Sequence, residues 1–140
     1  MAELRFRDDE ALEQPAVTLD GFLTQSNATA VRLEPDEDAR LLIPHLGRLA
    51  LVEIAFPKFR DGRGYSSARI LREAGYRGEL RAAGDVLVDQ IAYMRRCGFD
   101  SFLPDAPLDA EAVQASLTFY DHAYQRAADS AVPVWKLRHG

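Results

Sequence analysis

Cationic side chains, glycines and hydroxyl groups are concentrated in one short segment, FPKFRDGRGYSS, at residues 56–67. The segment follows an apolar run typical of a buried strand, and Ser66 or Ser67 is predicted to cap a helix that begins there. Glycine allows unusual backbone angles and close approach of a ligand, and unpaired N–H groups at a helix start favour an anion. The segment therefore predicts an anion-binding loop suited to phosphate, sulfate, sulfite or a carboxylate, and its candidate ligands are Lys58, Arg60, Arg63, Gly64, Ser66 and Ser67.

The charge distribution supports this interpretation. Residues 56–81 contain seven cationic and three acidic side chains, a net charge of +4, whereas the whole chain carries −5. A basic region in an acidic protein indicates an anionic ligand or an acidic partner surface. The overall negative charge argues against nucleic-acid binding, because neutralising phosphates requires a cationic face.

Other interpretations of the loop remain open. A glycine-rich turn with solvated arginines and serines that only cap the helix explains the same residues equally well. The spacing also approaches the dinucleotide-binding fingerprint, but Ser67 replaces its third glycine and Gly62 comes six residues after the strand. No lysine follows in the position that a P-loop requires, so the pattern excludes that motif.

Groups that could transfer a proton are few. Asp61 lies inside the basic loop and Asp85 lies at the next strand-to-helix junction, where we expect it to cap a helix over 86–97. Asp89 and Gln90, which could orient a ligand, follow in the first turns of that helix, and Tyr65 lies in the loop. These three residues and Arg81 are the further candidate site residues. Asp61 and Asp85 are the candidates for catalysis, although no catalytic residue is assigned.

The remaining polar residues favour structural roles. Glu53 interrupts an apolar strand and, if buried, needs a cationic partner; Arg81 on the following strand is the candidate. Cys97, the single cysteine, ends a helix and is best explained as a structural thiol. The three histidines are dispersed without metal-ligand spacing, so we predict no metal site, and nothing in the sequence indicates a cofactor.

The positions of the elements lead to a fold class. From about Ala30 onward, short strand patterns alternate with helix patterns about four times, which predicts an α/β protein with a parallel sheet. An open doubly wound sheet is the preferred architecture, and a (βα)4 half-barrel is the alternative. We expect one domain over residues 1–140, with an irregular N-terminal part at 1–29 and an irregular tail at 130–140.

Composition agrees with one compact domain. The chain has 140 residues, of which 47% are hydrophobic and 28% charged, which is ordinary for a globular protein. A single cysteine leaves no disulfide framework, and no long apolar run opens the chain. We therefore expect a cytoplasmic protein without membrane contact.

Three motifs occur in order along the chain: DGRGYS at 61–66, LREAGYRGELRAAGDVLVDQ at 71–90 and RCGFD at 96–100. With the phenylalanine-rich lead before them, these motifs resemble DUF934, a bacterial family of unknown function. The resemblance implies a role near reductive sulfate assimilation, because genes of this family tend to lie beside those for sulfite or nitrite reductase. The family is sometimes labelled a putative oxidoreductase, and it supplies no established catalytic residue.

Three classes of function follow from the sequence. The first is an accessory protein that docks on a sulfite or nitrite reductase or another assimilation protein. The second is a small enzyme, a putative oxidoreductase, that holds a phosphate- or sulfate-bearing ligand through the 56–67 loop. The third is a structural module completed by homodimerisation. A half-barrel would favour this, because its edge strands have unpaired N–H and C=O groups.

Overall fold

The computed structural model describes residues 2–9, 15–25, 27–58, 62–123 and 136–139, with side chains between residues 4 and 118 of those ranges. The strands are β1 Ala2–Arg5, β2 Val17–Thr18, β3 Ala30–Leu33, β4 Leu51–Phe56, β5 Glu79–Gly84, β6 Ser101–Pro104 and β7 Lys136–His139. The α-helices are α1 Leu19–Thr24, α2 Arg63–Glu73, α3 Val88–Cys97 and α4 Ala110–Ala123, and a 3₁₀ helix covers Ala39–Arg48.

The seven strands form one sheet in the order β2-β3-β4-β5-β6-β1-β7. Strands β2 to β6 are parallel and follow one another in chain order. Strand β1 lies beyond β6 and pairs antiparallel with both β6 and β7. The sheet therefore has a parallel centre that two terminal strands extend on the β6 side.

The predicted α/β class with an open, mostly parallel sheet is confirmed. The strand connectivity is simpler than in a doubly wound sheet, because the strand order from β2 to β6 never reverses. Right-handed crossovers that always step in the same direction place their helices on one face of the sheet. The contacts agree, since the 3₁₀ helix touches α2, α2 touches α3, and α3 touches α4.

The prediction of irregular ends was wrong in part. The N-terminal part contains β1, β2 and the six-residue helix α1, and β7 lies within the predicted tail. Strand β1 has too few residues for a periodic pattern, and its place in the sheet depends on partners about 100 residues away. Long-range pairing of this kind leaves little local signal in a sequence.

The two faces of the sheet differ in character. On β4, the side chains of Val52, Ile54 and Phe56 belong to the hydrophobic core under the helices. The alternate residues Leu51 and Glu53 point to the opposite face, which we call the second face, and both are also buried. Burial on both faces explains why β4 reads as an almost continuous apolar run.

In the described part of the chain, no helix is both long and apolar enough to span a bilayer.

Candidate functional site

The predicted loop begins at the edge where the parallel strands end. Phe56 of β4 lies opposite Gly84 of β5, which lies opposite Pro104 of β6. The Asp85 N–H donates to the Phe56 carbonyl at 2.7 Å, and the Asp105 N–H donates to the Gly84 carbonyl at 2.8 Å. We call this edge the carboxyl rim; its described residues are 56–58, 62–67, 84–90 and 104–105.

Helix α2 begins earlier than the sequence predicted. Gly62 is its N-cap, with αR backbone angles and no side-chain hydrogen bond to the helix, and Arg63 is its first residue. Ser66 and Ser67 are the fourth and fifth helical residues, so the prediction that one of them caps the helix is wrong. The Ser66 N–H instead donates to the Gly62 carbonyl at 3.4 Å.

Helix α3 also starts without a side-chain cap. Its N-cap is Leu87, so the prediction that Asp85 caps it is wrong; the helix starts two residues later than the sequence suggested. The other described helices are capped: Thr18 accepts from the Gly21 N–H, Asp38 from the Arg40 N–H and Asp109 from the Glu111 N–H, each at 3.0 Å. The two helices whose N-cap residues make no side-chain hydrogen bond therefore both begin at the carboxyl rim.

The predicted ligands on α2 are brought together only in part. Lys58, Arg63 and Ser66 are exposed, at the end of β4 and in the first turns of α2. Arg60 and Asp61 lie outside the described residues. Asp85 and Gln90 are half-buried, and Asp89 is exposed in the first turn of α3. The rim thus presents cations on its α2 side and carboxylates on its α3 side.

Two glycines at the rim, Gly64 and Gly84, have roles in packing. A Cβ on Gly64 would lie 2.5 Å from Cζ of Phe56, so the helix approaches the strand more closely than alanine permits. Gly84 has φ of +118°, and a Cβ there would lie 2.5 Å from the Phe56 carbonyl oxygen. Close backbone approach at Gly64 is therefore directed at Phe56, which accounts for this glycine without a ligand.

Tyr65 anchors the start of α2 to the core. Its ring lies 5.4 Å from that of Phe56 and 5.3 Å from that of Tyr93, measured between centroids. Burial raises the pKa of the Tyr65 hydroxyl above its usual range. The side chain therefore stays protonated near neutral pH and serves as a packing group.

The opposite edge of the sheet holds a second polar cluster, which sequence reasoning missed. Arg72 donates through Nε and Nη2 to the Gly98 carbonyl, through Nη1 to the Tyr76 and Gly78 carbonyls, and through Nη2 to Asp100 at 3.1 Å. These five bonds use every donor of the guanidinium. Arg72 therefore ties the end of α2 to the start of β6.

Asp100 completes this cluster. Its carboxylate also accepts from Arg7 at 2.8 Å and from the Leu80 N–H at 2.9 Å. Burial raises the pKa of Asp100, while Arg7 and Arg72 pull it in the opposite direction. The signal in the sequence was an acidic residue directly before an apolar strand, but its cationic partners lie 28 and 93 residues away.

A cavity of about 390 Å³ opens beside this cluster and is lined by Arg7, Arg72, Gly75, Tyr76 and Arg77. Three arginines around a cavity suggest an anion site. However, the donors of Arg72 are already bonded to the protein, and Arg7 is engaged by Asp9 and Asp100. The cavity is therefore a surface of the structural cluster.

The predicted pairing of Glu53 with Arg81 is confirmed. Arg81 Nη1 lies 3.1 Å from Glu53 Oε1, and Arg32 Nη1 lies 2.6 Å from Glu53 Oε2. Arg81 therefore lies on the second face of the sheet, three residues before the rim residue Gly84 on β5. Cys97 is buried at the end of α3, as a structural thiol would be.

The chain is similar to a known protein family. The family model described as a bacterial protein of unknown function, DUF934, matches residues 30–135, from the first residue of β3 to just before β7. The searches of curated proteins and of solved structures find no match. Because the matched region covers most of the chain, the protein belongs to the DUF934 family.

Proposed function

We propose that this chain is a binding protein that holds an anion at its carboxyl rim and acts as an accessory protein of reductive sulfate or sulfite assimilation. The anion is inferred from the rim itself. The metabolic setting is inferred from the family, whose genes tend to lie beside those for sulfite or nitrite reductase.

The observation that supports the anion site is that the N-cap residues of α2 and α3, Gly62 and Leu87, make no side-chain hydrogen bond to their helices. The first N–H groups of a helix have no partner inside it, and the helix dipole adds partial positive charge at that end. Thr18, Asp38 and Asp109 satisfy such groups on the other described helices. At α2 and α3 the N-cap residues, Gly62 and Leu87, make no such side-chain hydrogen bond, and an anion at the rim would accept from these N–H groups.

The charges at the rim favour a position nearer to α2 for the proposed anion. Lys58 and Arg63 are exposed on this side, and Ser66 adds a hydroxyl donor in the second turn. Asp85 and Asp89 stand on the α3 side, where their carboxylates would repel a second negative charge. The arrangement favours one compact anion beside α2 over an extended polyanion.

Binding is favoured over nucleophilic catalysis by the chemistry of the rim. Its described residues include no histidine or cysteine, so the usual base and thiol nucleophile are missing from that part of the structure. The Tyr65 hydroxyl packs into an aromatic cluster and has a raised pKa. A protein that holds an anion for a partner enzyme needs neither group.

A ligand titration tests the anion site. We expect sulfate, sulfite or phosphate to raise the unfolding midpoint, compared with chloride at equal ionic strength. The Arg63→Ala variant should lose the effect, whereas Arg69→Ala should keep it, because Arg69 is exposed further along the same helix. Equal midpoints in all salts, or an effect that survives Arg63→Ala, would refute the site.

A second experiment tests the partner. An assimilatory sulfite reductase should retain the full chain on a column at low salt and release it at moderate salt, since the contact is predicted to be electrostatic. Reversing the charge of Lys58 and Arg63 together should abolish the retention. No retention of the unchanged protein at low salt would reject the accessory role while leaving the anion site intact.

A further inference from the structure

A large aromatic side chain is exposed on the helices α2 and α3. Tyr93 of α3 is 46% exposed, whereas the other exposed large apolar side chains among the described residues are aliphatic and lie on α1 and the 3₁₀ helix. The Tyr93 ring lies 5.3 Å from that of Tyr65 on α2, which lies 5.4 Å from that of Phe56 on β4. Tyr93 is therefore held by packing against the core and is still half open to solvent.

An exposed arginine follows each of these two tyrosines by one helical turn. Arg69 comes four residues after Tyr65 on α2, and Arg96 comes three residues after Tyr93 on α3. Residues three or four apart lie on the same face of a helix, so both arginines border the tyrosine pair on the same side. We call this set the tyrosine-arginine face; it consists of Tyr65, Arg69, Tyr93 and Arg96.

The alignment of the two helices is fixed at a second point. Arg72 of α2 donates through Nε and Nη2 to the carbonyl of Gly98, the C-cap of α3, at 3.0 and 2.8 Å. A Cβ on Gly98 would lie 2.7 Å from Cγ of Arg72, so the contact is close. Groups that are already positioned lose less conformational entropy when they bind, and this face is positioned by the fold.

The face carries positive charge that the described residues do not neutralise. Within this part of the chain, no hydrogen bond, ion pair or ring contact engages the Arg69 guanidinium. The exposed carboxylates of the two helices lie toward their far ends, Glu73 as the last residue of α2 and Asp89 as the second residue of α3. The whole chain carries −5, so the complement of this local patch is an acidic surface.

The residue types favour a protein as the partner. Tyrosine and arginine are enriched among the residues that supply most of the binding energy of protein interfaces. An inorganic anion would contact the arginines and leave the ring of Tyr93 unused. A nucleic acid could stack a base on that ring, but Asp89 and Glu73 border the face and would repel its phosphates.

The size of the face indicates a transient contact. Helix α2 has eleven residues and α3 has ten, so each is about 15–16 Å long. Two such helices side by side offer less area than a permanent subunit interface buries. A small contact that depends on charge is expected to form and dissociate readily and to weaken with salt.

We propose that the tyrosine-arginine face is the docking surface for an acidic surface of a partner protein. The Tyr93 ring enters an apolar site on the partner, and carboxylates around that site pair with Arg69 and Arg96. The inference rests on the proposed function, because it specifies where an accessory protein meets its enzyme. Tyr65 follows Arg63 by two residues, so an anion held at the carboxyl rim would lie at the border of this contact.

The test measures the affinity of the full chain for an assimilatory sulfite reductase at low salt. Tyr93→Ala should weaken the association at least about thirtyfold, as at an interface hot spot. Arg69→Glu should weaken it at least about tenfold and reduce its dependence on salt. Leu41→Ala and Arg40→Glu make the same kinds of change at exposed positions of the 3₁₀ helix, and these control variants should bind as the wild type does.

The outcomes separate the docking surface from the accessory role. If the wild type binds the reductase and both Tyr93→Ala and Arg69→Glu bind equally well, the surface is wrong and the accessory role stands. If the wild type does not bind, both are rejected. Binding of a single-stranded oligonucleotide that disappears in Tyr93→Ala would also overturn the proposal and assign the face to nucleic acid. Arg69 is exposed, so Arg69→Glu carries the test even if Tyr93→Ala fails to fold.

Discussion

The two edges of the sheet use arginine in opposite ways. We call the edge where β5 and β6 begin the amino rim. There, all five N–H groups of the Arg72 guanidinium donate to backbone carbonyls or to Asp100. At the carboxyl rim, Arg63 is exposed beside the starts of α2 and α3, whose N-cap residues make no side-chain hydrogen bond to the helix. A saturated arginine fixes the fold, whereas the exposed Arg63 lies beside two helix N-termini, where we propose that an anion binds.

This difference limits the interpretation of the basic region at 56–81, whose net charge of +4 indicates an anionic ligand or an acidic partner. Part of its positive charge is consumed internally, since Arg72 pairs with Asp100 and Arg81 pairs with Glu53. Exposed cationic side chains at the carboxyl rim are fewer, and Lys58 and Arg63 are those among its described residues. Local net charge therefore overstates the ligand-binding potential of a segment until ion pairs are known.

The largest effect that we expect comes from breaking the amino rim. Arg72→Met removes five hydrogen bonds and leaves the buried Asp100 carboxylate with one cation fewer. Breaking a buried ion pair typically costs about 3–5 kcal/mol, and we expect a loss of this size in the free energy of unfolding. Urea denaturation measures it, with Arg69→Met on the same helix as the control.

Arg69 is exposed, so its replacement should change the free energy of unfolding by less than about 0.5 kcal/mol. If Arg72→Met proved as mild as Arg69→Met, the amino rim would not be the structural rim, and the contrast between the edges would fail.

A smaller loss of stability should follow from Gly64→Ala. The added Cβ would meet the Phe56 ring at 2.5 Å and force α2 away from β4. Overpacking of this kind costs about 1–3 kcal/mol. Thermal unfolding measures it, and a Phe56→Leu background should reduce the penalty by making room.

Gly47→Ala is the matched control for that substitution, because nothing lies within 4 Å of a Cβ at this position. A neutral Gly64→Ala would show that the helix is free to shift, and Gly64 would then be available for close approach of a ligand.

Charge reversal at the carboxyl rim should affect binding without affecting stability. Lys58→Glu combined with Arg63→Glu should change the free energy of unfolding by less than about 1 kcal/mol, since both side chains are exposed. Sulfate affinity should fall at least about tenfold, measured by calorimetry. Unchanged affinity would separate the anion from these two cations.

The smallest effect concerns Asp9 at the amino rim. The hydrogen bond from Arg7, assisted by Arg5, lowers the pKa of Asp9 to about 2. The stability that this contact contributes is present above the ordinary Asp pKa of about 4 and is lost as pH falls through about 2. Carbon-detected NMR titration should show this midpoint, and Arg7→Gln should move it upward; an ordinary midpoint in the unchanged protein would mean that the contact is not populated.

Sequence reasoning located the parallel strands because their apolar runs and flanking glycines are local signals. It also paired Glu53 with Arg81, since a carboxylate inside an apolar strand needs a cation. It missed β1, β7 and the Arg72 cluster, which depend on residues that are distant in the chain. It placed the caps of α2 and α3 wrongly, because Ser66 and Asp85 have the residue types of caps but lie after Gly62 and before Leu87, where the helices begin.

The most direct test of the carboxyl rim is a sulfate titration followed by amide NMR on the full chain. Saturable shifts should appear in the N–H signals of Arg63, Gly64 and Tyr65 on α2, with smaller ones at Val88 and Asp89 on α3. Shifts centred instead on Arg72 and Arg77, or spread evenly without saturation, would contradict the assignment of the ligand to this edge.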